Sequence, residues 1–229
     1  MNIEQLKQDF DRDGCLIIPG FLDAEQLAKL EFEATETIKG TDSRIVKGMQ
    51  RTNPWFADQL NSGKHVELLK TLLDDELEPS TAAFFDRIPG ETEGITPHFD
   101  AIGHGSSGAT IWIALDRTDT GNGCLYYVRG THLNDYEHSL NLPFDVKSEG
   151  AIPVEINPGD VAIHNTRTVH WSLANESGRP RRAVSYFYWA ASSKPNARRA
   201  KAFATQDTGA CEKGLGENIS EQDDCLAKN

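Results

Sequence analysis

At 229 residues the chain is long enough to close one full hydrophobic core, and all-β folds of this size commonly stay a single domain. Its 35 acidic against 23 basic side chains leave a formal charge of -12, which argues against nucleic acid or an anionic membrane surface as the partner. No stretch approaches the roughly 18 consecutive apolar residues of a membrane span, the N-terminus lacks the basic-then-apolar pattern of a signal peptide, and Cys15, Cys124, Cys211 and Cys225 form no CxxC pair. These features point to a cytoplasmic protein with ordinary thiols and neither a zinc finger nor a disulfide framework.

Ile3, Leu6 and Phe10 recur at helical spacing before Gly14, predicting a first helix. The short apolar run from Cys15 to Pro19 reads as a strand ending at a Pro-Gly turn. A second helix opens at Asp23, with Gln26 completing a capping box and Leu27, Leu30 and Ala34 marking its apolar side. A third covers His65 to Leu73. From Thr81 the rhythm changes to short β-type runs, Thr81 to Ile88, Ala109 to Leu115, Cys124 to Val128, Ala151 to Ile156, Asp160 to His164 and Arg182 to Trp189, separated by Gly, Pro, Asn and Asp. Helices first and short strands afterwards predict a mainly β fold with flanking α: a jelly-roll core over about 81–190, braced by a helical segment over about 1–80. The polar stretch 191–229 reads as a tail or a covering lid of this single domain. The glycine-rich loop from Ile102 to Ser107 is a second candidate lid.

His98 and Asp100 stand at i and i+2, so in an extended segment both side chains leave the same face. Imidazole plus carboxylate is ligation suited to Fe(II), and a second histidine from a distant strand completes a facial triad with open positions; His170 is the natural candidate. Alone, a His-x-Asp pair is weak evidence, and a solvated pair is its ordinary meaning. Here Pro97 precedes it, and His170, Ser172 and a basic cluster follow.

Several segments carry a resemblance: Asp13 to Leu22, Thr96-Pro-His-Phe-Asp100, Trp112-Ile-Ala-Leu-Asp116, Gly123 to His132, Asn157-Pro-Gly-Asp160, His170-Trp-Ser-Leu-Ala-Asn175 and Arg181-Arg-Ala-Val-Ser185. In content and order they resemble the phytanoyl-CoA dioxygenase-like family of Fe(II)/2-oxoglutarate-dependent oxygenases. The resemblance implies a double-stranded β-helix, or cupin-like, fold. It also implies iron held by His98, Asp100 and His170, with 2-oxoglutarate as co-substrate and O2 as oxidant. The expected reaction is hydroxylation of a C–H bond in a small-molecule metabolite, releasing succinate and CO2. Desaturation, epoxidation or ring formation on the same centre is the alternative. Related halogenases carry a small residue in place of the carboxylate, so Asp100 favours these oxidations over halogenation. Arg129 stands where the family usually has Pro, and the loop between His98 and Trp112 is shorter than in many relatives.

The distal carboxylate of oxoglutarate calls for a bidentate cation and a hydroxyl. Arg181, 11 residues after His170 as the resemblance implies, and Ser172 answer that need. Arg182 is the competitor, separated from Arg181 only by strand register, and Arg179 is turn material. Trp112 packs against the co-substrate in the same picture, or is a core aromatic. His164, six residues before His170, shares its face in a straight strand and is a supporting contact there. His104 is a loop histidine, His132 belongs to a turn, His65 and His138 carry no context, and Arg87 is either a substrate contact or an ion pair with Asp86 or Glu91. Two rivals use the same ligands: a metal-binding jelly-roll sensor without turnover, and a zinc hydrolase, which lacks an evident general base beside the His-x-Asp pair.

Overall fold

The computed structural model describes residues 2–91, 93–100 and 107–193. Its helices are α1 (Ile3–Asp13), α2 (Ala24–Ile38), α3 (Pro54–Ser62) and α4 (Lys64–Leu73). Its strands are β1 (Cys15–Ile18), β2 (Ile45–Lys47), β3 (Leu77–Arg87), β4 (Ile95–His98), β5 (Gly108–Ala114), β6 (Leu125–Val128), β7 (Ala151–Pro153), β8 (Val161–Asn165), β9 (His170–Ser172) and β10 (Arg181–Ala190). A six-stranded sheet in the order β1-β8-β5-β10-β3-β2 faces a four-stranded one in the order β4-β9-β6-β7. Every pairing is antiparallel. The result is the mainly β jelly roll with flanking helices that the residue pattern predicts.

Local chemistry sets the helix ends. Asn2 accepts from the Glu4 and Gln5 amides to start α1, and Gly14, at φ 72, ends it by donating to the Phe10 carbonyl. Gly14 is required twice, because a Cβ there would lie 2.3 Å from Nδ1 of His132. The capping box of Asp23 and Gln26 opens α2 as expected. The helix α3 is an addition to the sequence reading: Asn53 caps it and Pro54 sits in its first turn, while Phe56 and Leu60 are too few apolar residues to announce it.

The helices lie against the outer face of the large sheet. Phe10, Leu30, Phe56, Leu69 and Leu72 pack with Ile111, Ile113, Ile163, Val184, Tyr186 and Tyr188. Strand β10 is buried on both faces, so Val184 and Tyr186 serve this outer core while Ala183 faces the interior between the sheets with Trp112, Ala114, Ala162 and Tyr127. A third cluster covers the far side of the small sheet, where Tyr126 stacks on Trp171 at 5.3 Å. Residues 1–80 therefore supply β1 and β2 to the large sheet as well as helices.

The segment containing His164 and His170 is not one straight strand. A turn separates β8 in the large sheet from β9 in the small one; Thr168 donates its amide to the Asn165 carbonyl at 2.8 Å and its hydroxyl to the Gly14 carbonyl at 2.7 Å. The expectations for the loop from Ile102, His104 included, and for the polar stretch lie outside the described residues, save Ser107 and 191–193. Among the described residues no helix is long and apolar enough to cross a membrane.

Candidate metal centre

His98 ends β4 and His170 opens β9, and the antiparallel register pairs the two directly. A separation of 72 positions in sequence becomes one rung of a ladder, with the imidazole centroids 4.3 Å apart. Asp100, two residues beyond His98, returns its carboxylate to the same point. The ligand atoms of His98, Asp100 and His170 lie within 4.8 Å of one another. Oδ1 of Asp100 is 3.9 Å from Nε2 of His98 and 3.8 Å from Nε2 of His170. Two atoms each bonded at about 2.1 Å to one ion stand at most about 4.2 Å apart, so both Asp100–histidine separations are within reach of a shared metal.

Both histidines are oriented by their own strands. Nδ1 of His98 is 2.8 Å from the Thr96 carbonyl and Nδ1 of His170 is 2.9 Å from the Thr168 carbonyl. A carbonyl only accepts, so each Nδ1 carries the proton and each Nε2 lone pair turns to the common centre. Burial pushes both imidazoles down to about 4, and a neighbouring histidine adds to the effect in each case, so both stay neutral at physiological pH. Burial alone would raise the Asp100 carboxyl. The contact with His170, the hydrogen bond from His164 and the contact with His98 outweigh it and hold the group well below the usual carboxylate range. Two neutral imidazoles and one carboxylate are a facial donor set for a divalent cation.

The remaining sequence candidates fall on the walls of the same interior. Ser172 lies two residues beyond His170 on β9, 2 % exposed, and its Oγ has no hydrogen-bond partner among the described residues. Arg181 is equally buried, its Nε is unpartnered, and its guanidinium stands over the Trp112 ring at 5.5 Å from the centroid. Burial, reinforced by the nearby Arg87 guanidinium, pulls Arg181 down to about 10, which leaves it cationic. A buried guanidinium nitrogen and a buried hydroxyl without hydrogen-bond partners are expensive. They are what an anionic ligand with several acceptor oxygens would satisfy, and 2-oxoglutarate fits that description.

Arg182 points the other way. Its Nε and Nη2 bond the two carboxylate oxygens of Asp116 at 2.9 and 2.8 Å, and Nη2 meets Glu31 at 2.9 Å. Arg179 is held by Asp119 on the exposed turn. Arg87 takes the ion-pair alternative, 2.7 Å from Glu91. His132 meets the Asp11 carbonyl at 3.1 Å, and His65 is buried with Nε2 2.8 Å from the Tyr188 hydroxyl and its ring stacked on Tyr186.

Sequence reading missed two polar neighbours of the centre. Thr110 and Tyr127 both reach it, Thr110 at 3.4 Å from Oδ2 of Asp100 and Tyr127 through His164. Neither carries a motif of its own; strand alternation on β5 and β6 was the available signal.

The model of the family described as phytanoyl-CoA dioxygenase matches residues 10–183. A protein of Epichloe uncinata, dioxygenase lolE1, is 28% identical over 141 residues, 57% of this chain and 53% of that protein, so the chain spans about half the length of this relative. Among solved structures, the non-heme alpha ketoglutarate dependent epimerase SnoN from nogalamycin biosynthesis superposes with a TM-score of 0.73 at 24% identity, over 82% of this chain and 83% of that one. It has also been crystallised with Fe3+, alpha ketoglutarate and nogalamycin RO. EvdO2 from Micromonospora carbonacea var. aurantiaca, complexed with 2-oxoglutarate, superposes with a TM-score of 0.71 at 18% identity, over 84% of this chain and 94% of that one. The family match takes in well over half of the sequence and the whole His98 to Arg181 region, and on that ground the chain belongs to the phytanoyl-CoA dioxygenase family.

Proposed function

We propose that His98 Nε2, Asp100 Oδ1 and His170 Nε2 hold Fe(II), that Arg181, Ser172 and Trp112 hold 2-oxoglutarate, and that the enzyme hydroxylates a C–H bond of a small-molecule metabolite. The observation that carries this reading is the convergence, inside one sandwich, of three ligand atoms with a buried arginine Nε and a buried serine Oγ that have no hydrogen-bond partner among the described residues. With both groups bound, the centre supplies O2 reduction coupled to conversion of oxoglutarate to succinate and CO2.

The chain's own residues do four things around that chemistry. The Thr96 and Thr168 carbonyls fix the imidazole tautomers. The Arg181 guanidinium offers a charge-assisted contact to the far carboxylate, and the Ser172 hydroxyl a second donor. Trp112 backs the guanidinium and closes the wall behind it. The packed sheets bury His170, Ser172, Arg181 and Trp112 on the inner side of the centre, while His98 and Asp100 are only partly buried.

Asp100 occupies the third ligand position, which supports oxygen insertion and argues against halide binding at the metal. A second reading, ring formation or epimerisation on the same centre, is favoured by one observation. Solved structures of this fold include the epimerase SnoN and the non-heme alpha ketoglutarate dependent carbocyclase SnoK. A metabolite screen scored by succinate release, followed by product mass under 18O2, separates the two. Hydroxylation adds one labelled oxygen atom to the substrate, and cyclisation or epimerisation adds none. Absence of oxoglutarate-dependent succinate release with every substrate and with none would overturn the assignment.

A further inference from the structure

The two oxygens of Asp100 live in different surroundings. Oδ1 faces Nε2 of His98 and of His170. Oδ2 lies 3.3 Å from Nε2 of His164 and 3.4 Å from the Thr110 hydroxyl. His164 is not itself in the cluster of candidate ligands, although its ring is 4.3 Å from that of His170. It is 3 % exposed, and its second nitrogen, Nδ1, lies 3.1 Å from the hydroxyl of Tyr127, whose side chain is fully buried.

The direction of every proton in this chain follows from what each group can do. An ionised carboxylate only accepts, so Nε2 of His164 carries a hydrogen and donates it to Oδ2. In a neutral imidazole Nδ1 then accepts, so the Tyr127 phenol donates to it. Burial raises the Tyr127 phenol well above its ordinary range, in keeping with a permanent donor. The frame is rigid as well: His164 pairs with Cys15 on one side and Thr110 on the other in the large sheet, and Tyr127 pairs with His170 in the small one. The contact therefore ties the two sheets together at the metal centre.

We propose that Tyr127 and His164 are a positioning pair that makes Asp100 a one-oxygen ligand. Carboxylates bind metals through one oxygen or two. An unrestrained aspartate can rotate both oxygens onto the ion and take up a position the reaction needs. With Oδ2 held by His164 and Thr110, Asp100 would offer a bound metal Oδ1 alone and would leave free the position that its second oxygen would otherwise take. This inference rests on the reading of His98, Asp100 and His170 as the ligands.

The test uses the full chain with Co(II) as the metal, so that binding and coordination are read without turnover. His164→Phe keeps a ring and removes both nitrogens. His164→Gln restores a donor toward Oδ2 and an acceptor toward Tyr127, and Tyr127→Phe removes only the far end. In His164→Phe the Co(II) affinity is expected to stay within about ten-fold of wild type, while oxoglutarate affinity for the Co(II) protein falls about 10- to 100-fold and the visible Co(II) spectrum changes, as for loss of an outer-shell partner. His164→Gln is expected to return both quantities to within about three-fold of wild type, and Tyr127→Phe to give a smaller shift in the same direction. A purely structural role would lower the melting temperature in all three variants without separating metal affinity from oxoglutarate affinity, and that result overturns the proposal. So does a wild-type spectrum and oxoglutarate affinity in folded His164→Phe. If His164→Phe cannot be purified folded, His164→Gln against Tyr127→Phe still decides, since the proposal requires the glutamine to bind oxoglutarate more tightly than the phenylalanine variant. Failure of the ligand assignment looks different: His98→Ala and Asp100→Ala would then keep wild-type Co(II) affinity.

Discussion

Arg181 and Arg182 are adjacent in sequence and opposite in environment, one buried without a partner at Nε and the other clamped by Asp116 and Glu31 at the surface. Removing a charge-assisted contact to a buried carboxylate typically costs about 2 to 5 kcal/mol. Arg181→Ala is therefore expected to weaken oxoglutarate binding by that amount, read by titrating the charge-transfer band of the anaerobic Fe(II) complex. Arg182→Ala should leave that titration unchanged and lower stability by about 1 kcal/mol at most, because its side chain remains 31% exposed. The reverse ranking would remove Arg181 from the co-substrate site. At the metal, His98→Ala, Asp100→Ala and His170→Ala are each expected to lose more Fe(II) affinity than the about 10- to 100-fold that outer-shell changes cost. Their circular dichroism should match wild type, since none of the three belongs to a hydrophobic cluster.

At the scale of elements, the site depends on the pairing of β4 with β9, two short strands that pair His98 with His170 and Ile95 with Ser172 across a register shift. Gly94 stands at the entrance to β4, and a Cβ there would lie 2.1 Å from the Ser172 carbonyl oxygen. No side-chain rotation relieves a clash with backbone, so Gly94→Ala must push β9 away. A cost of about 1 to 3 kcal/mol in urea denaturation is expected, together with weaker oxoglutarate binding as Ser172 is displaced. Gly178 is the control: its added Cβ would meet nothing within 4 Å, and Gly178→Ala should fall within about 0.5 kcal/mol of wild type. Equal stability of the two variants would show that β4 and β9 tolerate more separation than their register indicates.

For the molecule as a whole, three histidines act in one direction. Burial brings His65, His98 and His170 each down to about 4 in the folded apoprotein, against an ordinary value near 6.5 in the unfolded chain. The unfolded chain therefore binds more protons below pH of about 6.5, and the folded state loses stability as pH falls from there toward 4. The Asp100 shift has the same sign and acts lower still. His65 is far from the ligands and can be tested alone: at roughly 1.4 kcal/mol per unit, its shift corresponds to roughly 3 kcal/mol across that window. His65→Gln, which keeps a polar partner for Tyr188, should flatten the decline in denaturation free energy between pH 7 and 5. An unchanged slope would mean that the imidazole is not carrying it.

Spacing and residue chemistry determined what is local or periodic. The His98 and Asp100 pair, the capping box at Asp23, the strand rhythm after Thr81 and the order of His170, Ser172 and Arg181 all depend on positions a few residues apart, where backbone geometry fixes the relation between side chains. The short strands β2, β4 and β9 and the helix α3 escaped because three or four residues carry no readable period, and a nine-residue helix with two buried positions carries little more. Only the tertiary structure decided which of the two arginines faces inward, because a one-residue slip in the β10 register exchanges them. It also placed His164 and His170 on opposite sheets, where the sequence suggested one strand, and brought the Tyr127 hydroxyl to the ring behind Asp100 across 37 positions of chain. Contacts of that length are set by how the two sheets pack face to face, a property of the whole sandwich that no local stretch of sequence encodes.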